Sequence, residues 1–136
     1  MAQTQVVTDE GIGELIKLWA ESAATGMESI VCMTDSSACT AAVTHTYASP
    51  ADTKCTDSGL DLAAIDTVST TTVNTTGDTI TFDHVFTATG TKNVTGILVC
   101  NNDDDVAYIE CCFNSVIAAE SGDTITIDGQ STIDQA

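Results

Sequence analysis

Apolar positions along this chain follow two rhythms, a helical one near the amino terminus and an alternating one through the second half. Ile12, Leu15, Ile16, Trp19, Ala20 and Ala23 recur at helical spacing, with Glu10, Glu14, Lys17 and Glu21 opposite, which predicts one amphipathic helix over residues 8–24. Thr8 is suited to cap it, and Asp9 and Glu10 are placed to meet the positive end of its dipole. Gly11 and Gly13 weaken the first turn, so packing rather than propensity has to hold it.

Residues 27–59 are patterned more weakly. They offer a short apolar run, Ser29-Ile30-Val31-Cys32-Met33, a polar turn over Thr34-Asp35-Ser36-Ser37, and a second possible strand through Val43-Thr44-His45-Thr46-Tyr47. The stretch is therefore expected to be loop and short strands, with an irregular connection around Pro50, Asp57 and Gly59. From residue 60 the chain turns strongly β-like. Ile80, Phe82, His84 and Phe86 alternate with Thr79, Thr81, Asp83 and Val85, the pattern of a half-buried strand. Further strands are predicted over Val94 to Cys100, Val106 to Phe113 and Thr124 to Asp128. The runs Gly77-Asp78-Thr79-Ile80-Thr81 and Gly122-Asp123-Thr124-Ile125-Thr126 nearly repeat each other, as two strands that begin after Gly-Asp turns can without duplication. These elements predict a mainly β chain: an antiparallel β-sandwich, jelly-roll-like, with one amino-terminal amphipathic helix. At 136 residues it suits a single domain, 1–136, with the sandwich over 60–128 and a carboxy-terminal tail over 129–136.

Charge narrows the choice of partners. Lys17, Lys54 and Lys92 are the only basic side chains against 20 carboxylates, giving a formal charge of −17. A surface that binds nucleic acid or anionic lipid needs clustered Lys and Arg, so neither is expected as a partner. Acidity of this size keeps free subunits apart and favours either a basic protein partner or cation-rich solvent. No stretch has the apolar length of a membrane helix, and the start, Met1 to Gln5, lacks the pattern of a secretory signal, so synthesis in a cytoplasm is expected.

Six cysteines, Cys32, Cys39, Cys55, Cys100, Cys111 and Cys112, sit awkwardly with a reducing cytoplasm. Their spacing contains no C-x-x-C pair and neither histidine has a zinc-finger partner, so no metal site is expected. A protein made in a reducing cell and later released into an oxidising medium reconciles the two facts. All six are therefore candidates for disulfides or cross-links, some of them between subunits. Consecutive strand residues point to opposite faces, so Cys111 is expected in the core and Cys112 exposed toward a partner, the alternative being that both are small buried hydrophobes.

Catalytic signals are thin. His45 lies in a Thr-rich stretch, and His84 falls between Phe82 and Phe86 on an apolar face, where a packed, hydrogen-bonded role is expected. None of the familiar nucleophile, metalloprotease or phosphate-loop motifs is present, so no enzyme activity and no cofactor are expected. Asn101-Asn102-Asp103-Asp104-Asp105 offers clustered oxygens that a cation could use, but reads first as a hairpin turn.

The order of elements resembles a family of small tailed-bacteriophage proteins, found as free virion proteins and as the leading segments of tail or collar fibres. Val6-Val7-Thr8-Asp9-Glu10-Gly11-Ile12-Gly13-Glu14-Leu15-Ile16 echoes its opening helix, and Val68 to Thr79 its Thr/Val strand and turn. Phe82, Phe86, Thr89-Gly90 and Val94-Thr95-Gly96-Ile97-Leu98-Val99-Cys100-Asn101 follow its middle, and Ser115 to Ile127 its end. The cysteines are not part of that pattern. The resemblance implies a virion structural protein that contacts the major capsid protein or neighbouring copies of itself as a homo-oligomer. A capsid decoration or cement protein is the first reading. A tail, collar or fibre component that binds host carbohydrate ranks lower, since Trp19 is expected in the helix core and only Tyr47 and Tyr108 remain to stack on sugars. A halophile surface protein is a third.

Overall fold

The computed structural model describes residues 4–20, 26–71, 79–103 and 105–132, and for Thr4 and residues 15–20 the backbone alone. The chain is mainly β. Strand β1 (Thr4–Val7) leads into helix α1 (Asp9–Ala20), followed by β2 (Ser29–Thr34), β3 (Thr53–Lys54), β4 (Ala63–Ala64), β5 (Thr67–Thr71), β6 (Thr79–Thr87), β7 (Lys92–Asn101), β8 (Val106–Ala119) and β9 (Thr124–Thr132). These form two sheets with antiparallel pairing. The first runs β1-β8-β7-β2-β3, with β4 also on β2, and the second runs β5-β6-β9.

One apolar cluster joins the sheets in a sandwich-like arrangement. Ile30, Cys32, Ile97, Val99, Ile109 and Cys111 come from the first sheet, and Phe82, Phe86 and Ile125 from the second. Burial of each large side chain contributes about 1.5–3 kcal/mol. The alternation in β6 holds, with Phe82 and Phe86 inward and Asp83 and Val85 outward. Strand β7 is different: every residue from Val94 to Asn101 is buried, because both of its faces are covered. The strands divide six against three among the described residues, and not into the paired Greek keys of a jelly roll.

Some expectations change. The run Ser29–Met33, expected as loop or short strand, belongs to β2, which lies inside the first sheet and pairs with β7, β3 and β4. Residues 43–47 form no strand: the His45 and Thr46 N–H groups donate to the Ala42 and Ser49 carbonyls in local turns, and that of Tyr47 donates to the Glu10 carboxylate. β8 extends to Ala119 and β9 to Thr132, beyond the expected ends at Phe113 and Asp128. The ladder between β7 and β8 skips a step at Tyr108, pairing Val99 with Ile109 but Cys100 with Ala107. That irregularity puts Ala107 in an outer cluster and Tyr108 against the core, the reverse of simple alternation.

The helix is rotated from its expected orientation. Ile12 is 45% exposed and Glu14 only 6%. Gly11 fixes this rotation: a Cβ there would lie 2.8 Å from the Tyr108 carbonyl oxygen, so the bare backbone of the first turn rests on β8. Thr8 caps the helix as expected, its Oγ1 accepting from the Gly11 N–H at 3.1 Å while donating to the Ala107 carbonyl. The expected helix end at 21–24, the Trp19 side chain, the Asn74–Asp78 turn and residues 133–136 of the tail lie outside the described residues.

Candidate functional site

The outer face of the first sheet carries a connected polar network. Parity along the ladders places Val31, Leu98 and Glu110 in one row across β2, β7 and β8. A long irregular segment, residues 35–52, lies over this face. Its only large apolar anchor is Tyr47, which packs on Val31, Leu98, Cys100 and Ala107. Polar and covalent ties do the rest.

Glu110 is the central tie and is fully buried. Its Oε2 accepts from the Ala42 N–H at 3.1 Å and from His45 Nδ1 at 2.7 Å, and its Oε1 accepts from the Ala51 N–H at 2.7 Å. One carboxylate therefore satisfies three donors from one segment, which is how a charge is kept out of water without large cost. Glu10 repeats the device from the helix, its Oε2 accepting from the Tyr47 N–H at 3.0 Å and the Ala107 N–H at 2.9 Å. Asp52 accepts from Thr95 Oγ1 at 2.6 Å, and the Asp9 N–H donates to the Val43 carbonyl at 2.9 Å. Lys54 closes the edge, its Nζ donating to the Tyr47 carbonyl and sitting 3.4 Å from the centre of the Tyr47 ring. Burial lowers the Lys54 pKa and raises that of the Tyr47 phenol.

The covalent tie is a disulfide between Cys39 of the segment and Cys112 of β8, 73 residues apart. Cys112 is thus buried and bonded within its own chain, which overturns the expectation that it faces a partner. The physical reason is the cover itself: the outer face of β8 is not solvent. Gly96 stands opposite Cys112 on β7, and a Cβ there would lie 3.1 Å from the Cys112 Cα and 2.2 Å from the Cys111 carbonyl oxygen. Cys111 is in the core as expected. Cys32, Cys55, Cys100 and Cys111 are buried thiols, and burial pushes each pKa upward, that of Cys100 to about 12. Thiols of this kind are poor nucleophiles while the fold is closed.

His45 has the posture of an oriented base, with Nδ1 held by a buried carboxylate. Among the described residues no three His, Cys, Asp or Glu side chains gather to hold a metal beside it. His84 meets the Phe86 ring edge-on at 4.4 Å between centroids. Its Nδ1 is 3.2 Å from Asp66 Oδ2 but off hydrogen-bond geometry, so this nitrogen makes no hydrogen bond. The Asn101–Asp105 run is the β7–β8 turn, apart from Asp104, which lies outside the described residues. There Asn101 Nδ2 donates to the Gly26 carbonyl, Asn101 Oδ1 accepts from the Asp103 N–H, and Asn102 Oδ1 accepts from Ser29 Oγ.

Two grooves open where the sheets meet. One of about 480 Å³ is lined by Gln5, Phe82, Phe113, Ile117, Ile127 and Gly129, and one of about 350 Å³ by Val7, Met27, Val68, Ile80, Tyr108 and Ile109. Both mix core side chains with exposed strand residues, and Glu110 lines neither. Sequence reasoning missed Glu110, Glu10 and Asp52. The available signal was Glu110 itself, a lone carboxylate inside the apolar run from Val106 to Phe113. In comparisons with known proteins, no family model, curated protein or solved structure matches the chain.

Proposed function

We propose that this chain is a structural component of a bacteriophage virion, in first place a capsid decoration or cement protein, folded as an acidic β-sandwich. The observation that carries the reading is the use made of its buried polar groups. Glu110, Glu10, His45 and the Cys39–Cys112 disulfide fasten a surface segment to a sheet, the arrangement of a protein that has to keep one shape. Lys54 and Lys92 are both engaged within the chain, on Tyr47 and Asp57. The charge of −17 is left to suit a basic protein surface, such as the major capsid protein, and to keep free copies soluble. β5 is exposed at every residue and, among the described residues, edges the second sheet, an edge that a neighbouring copy could pair with.

The tail, collar or fibre reading is weakened by the aromatics it needs. Tyr47 is occupied by Lys54 and Tyr108 packs against the core. Quantitative mass spectrometry of purified particles, with immunogold labelling, tests the proposal. A copy number comparable with that of the major capsid protein is expected. Label confined to the tail at fibre-like copy number moves the chain to the second reading, and absence from particles overturns both.

A further inference from the structure

Cys32 and Cys55 face each other across the continuation of the β2–β3 ladder. The register pairs Met33 with Lys54 and Thr34 with Thr53, so the next step brings Cys32 opposite Cys55. The backbone makes that step, because the Cys55 N–H donates to the Cys32 carbonyl at 2.8 Å. The Cys32 N–H itself turns to the Leu60 carbonyl at 3.1 Å, but directly opposed residues of an antiparallel pair project to the same side with Cα atoms about 4.5–5.5 Å apart in either kind of pair. That lies within the roughly 4.4–6.8 Å that a disulfide spans. Both side chains belong to one buried cluster with Leu60 and Ala88, and the two thiols interact electrostatically.

We propose that Cys32 and Cys55 form a dithiol that closes to a second, cross-strand disulfide under oxidising conditions and reopens under reduction. The oxidant is a small-molecule disulfide. One cysteine, as thiolate, attacks it, forming a mixed disulfide and releasing one thiol. The other then loses its proton and displaces the second thiol. The chain loses two S–H hydrogens and gains one S–S bond, and the oxidant is reduced to two thiols.

Cys55 is the entry point. It lines a surface depression of about 290 Å³ with Thr56, Asp61 and Leu62, and Lys92 partly offsets the effect of burial on its thiol. Cys32 is fully buried, so exchange requires the two-residue edge strand β3 to open, and it is slow in the closed fold. Once formed, the bond ties the ends of the stretch 32–55, whose middle Cys39 already fastens to Cys112. This inference does not depend on the virion reading.

The three lysines and the absence of arginine make the test direct. Trypsin yields residues 18–54 with Cys32 and Cys39, 55–92 with Cys55, and 93–136 with Cys100, Cys111 and Cys112. The full chain is equilibrated in glutathione buffers that preserve Cys39–Cys112, alkylated in denaturant, digested and analysed without reduction. In the more reducing buffer, 55–92 is expected free and alkylated. In the more oxidising buffer all three fragments are expected joined, with Cys100 and Cys111 alkylated and the melting temperature raised by several degrees. The milder edge variant Cys55→Ala is expected to lose that rise. Alkylated Cys55 in the oxidising buffer, Cys55 held as a stable glutathione adduct, or Cys55 joined to Cys100 or Cys111 would each overturn the proposal.

Discussion

On its inner face the first sheet meets Phe82, Phe86 and Ile125 of the second sheet, whereas on its outer face the cover is an irregular segment held by Glu110, Glu10, Asp52 and a disulfide. The inner closure is apolar and shared among many side chains, so each contributes a part and neighbours partly compensate for a loss. The outer closure has one aromatic anchor and a few acceptors, of which Glu110 serves three donors and Glu10 two. A buried N–H without its acceptor costs its full desolvation. The two faces should therefore fail differently: the inner one as a whole, the outer one segment by segment.

That difference is open to direct perturbation. Phe86→Ala is expected to lower the unfolding free energy by about 4 kcal/mol, lowering the urea midpoint with one transition seen by every probe. Glu110→Ala orphans the N–H groups of Ala42 and Ala51, and should cost about 3 kcal/mol. Its loss of amide protection should concentrate in residues 35–52, and Glu110→Gln should recover part of it. If Glu110→Ala instead loosened β6 and β9 equally, the contrast between the faces would be wrong. Opening the Cys39–Cys112 bond by Cys39→Ser should cost at least about 2 kcal/mol, read as a lower melting temperature in oxidising buffer and convergence with wild type under reductant. Thr8→Ala removes a cap that also bonds to β8, for about 1 kcal/mol by urea titration.

The smallest effect belongs to Asp57, exposed and paired with Lys92. Hydrogen bonds from Lys92 and then Ser58 hold its carboxyl below the usual range. A depressed folded pKa means stabilisation that is present above the unfolded pKa and lost as pH falls through the folded one. Asp57→Asn should thus differ slightly from wild type at neutral pH and low salt, and the difference should vanish on acidification or in high salt.

The contrast also explains what could be read from the sequence. Strands β6, β7 and β9 were legible because their alternating or continuous apolar patterns arise from local pleat geometry and burial. The Thr8 cap was legible because capping is local. The outer cover was not, since it rests on pairings of high sequence separation: Glu110 with Ala42 and Ala51, Cys112 with Cys39, Glu10 with Tyr47. No period along the chain encodes these. The helix orientation was misjudged for a similar reason. Hydrophobicity favoured Ile12 inward, but the close approach of Gly11 to Tyr108 set the rotation. The exposed Cys112 followed from correct alternation and the false premise that the second face of β8 meets solvent.

Residue-resolved hydrogen exchange on the disulfide-intact protein tests the fastened outer face most directly. The amides of Ala42, Tyr47 and Ala51, in a segment with no regular structure, should exchange nearly as slowly as those of β7. They should lose that protection in Glu110→Ala while β6 and β9 keep theirs. Rapid exchange of these three amides in the wild-type protein would contradict the account.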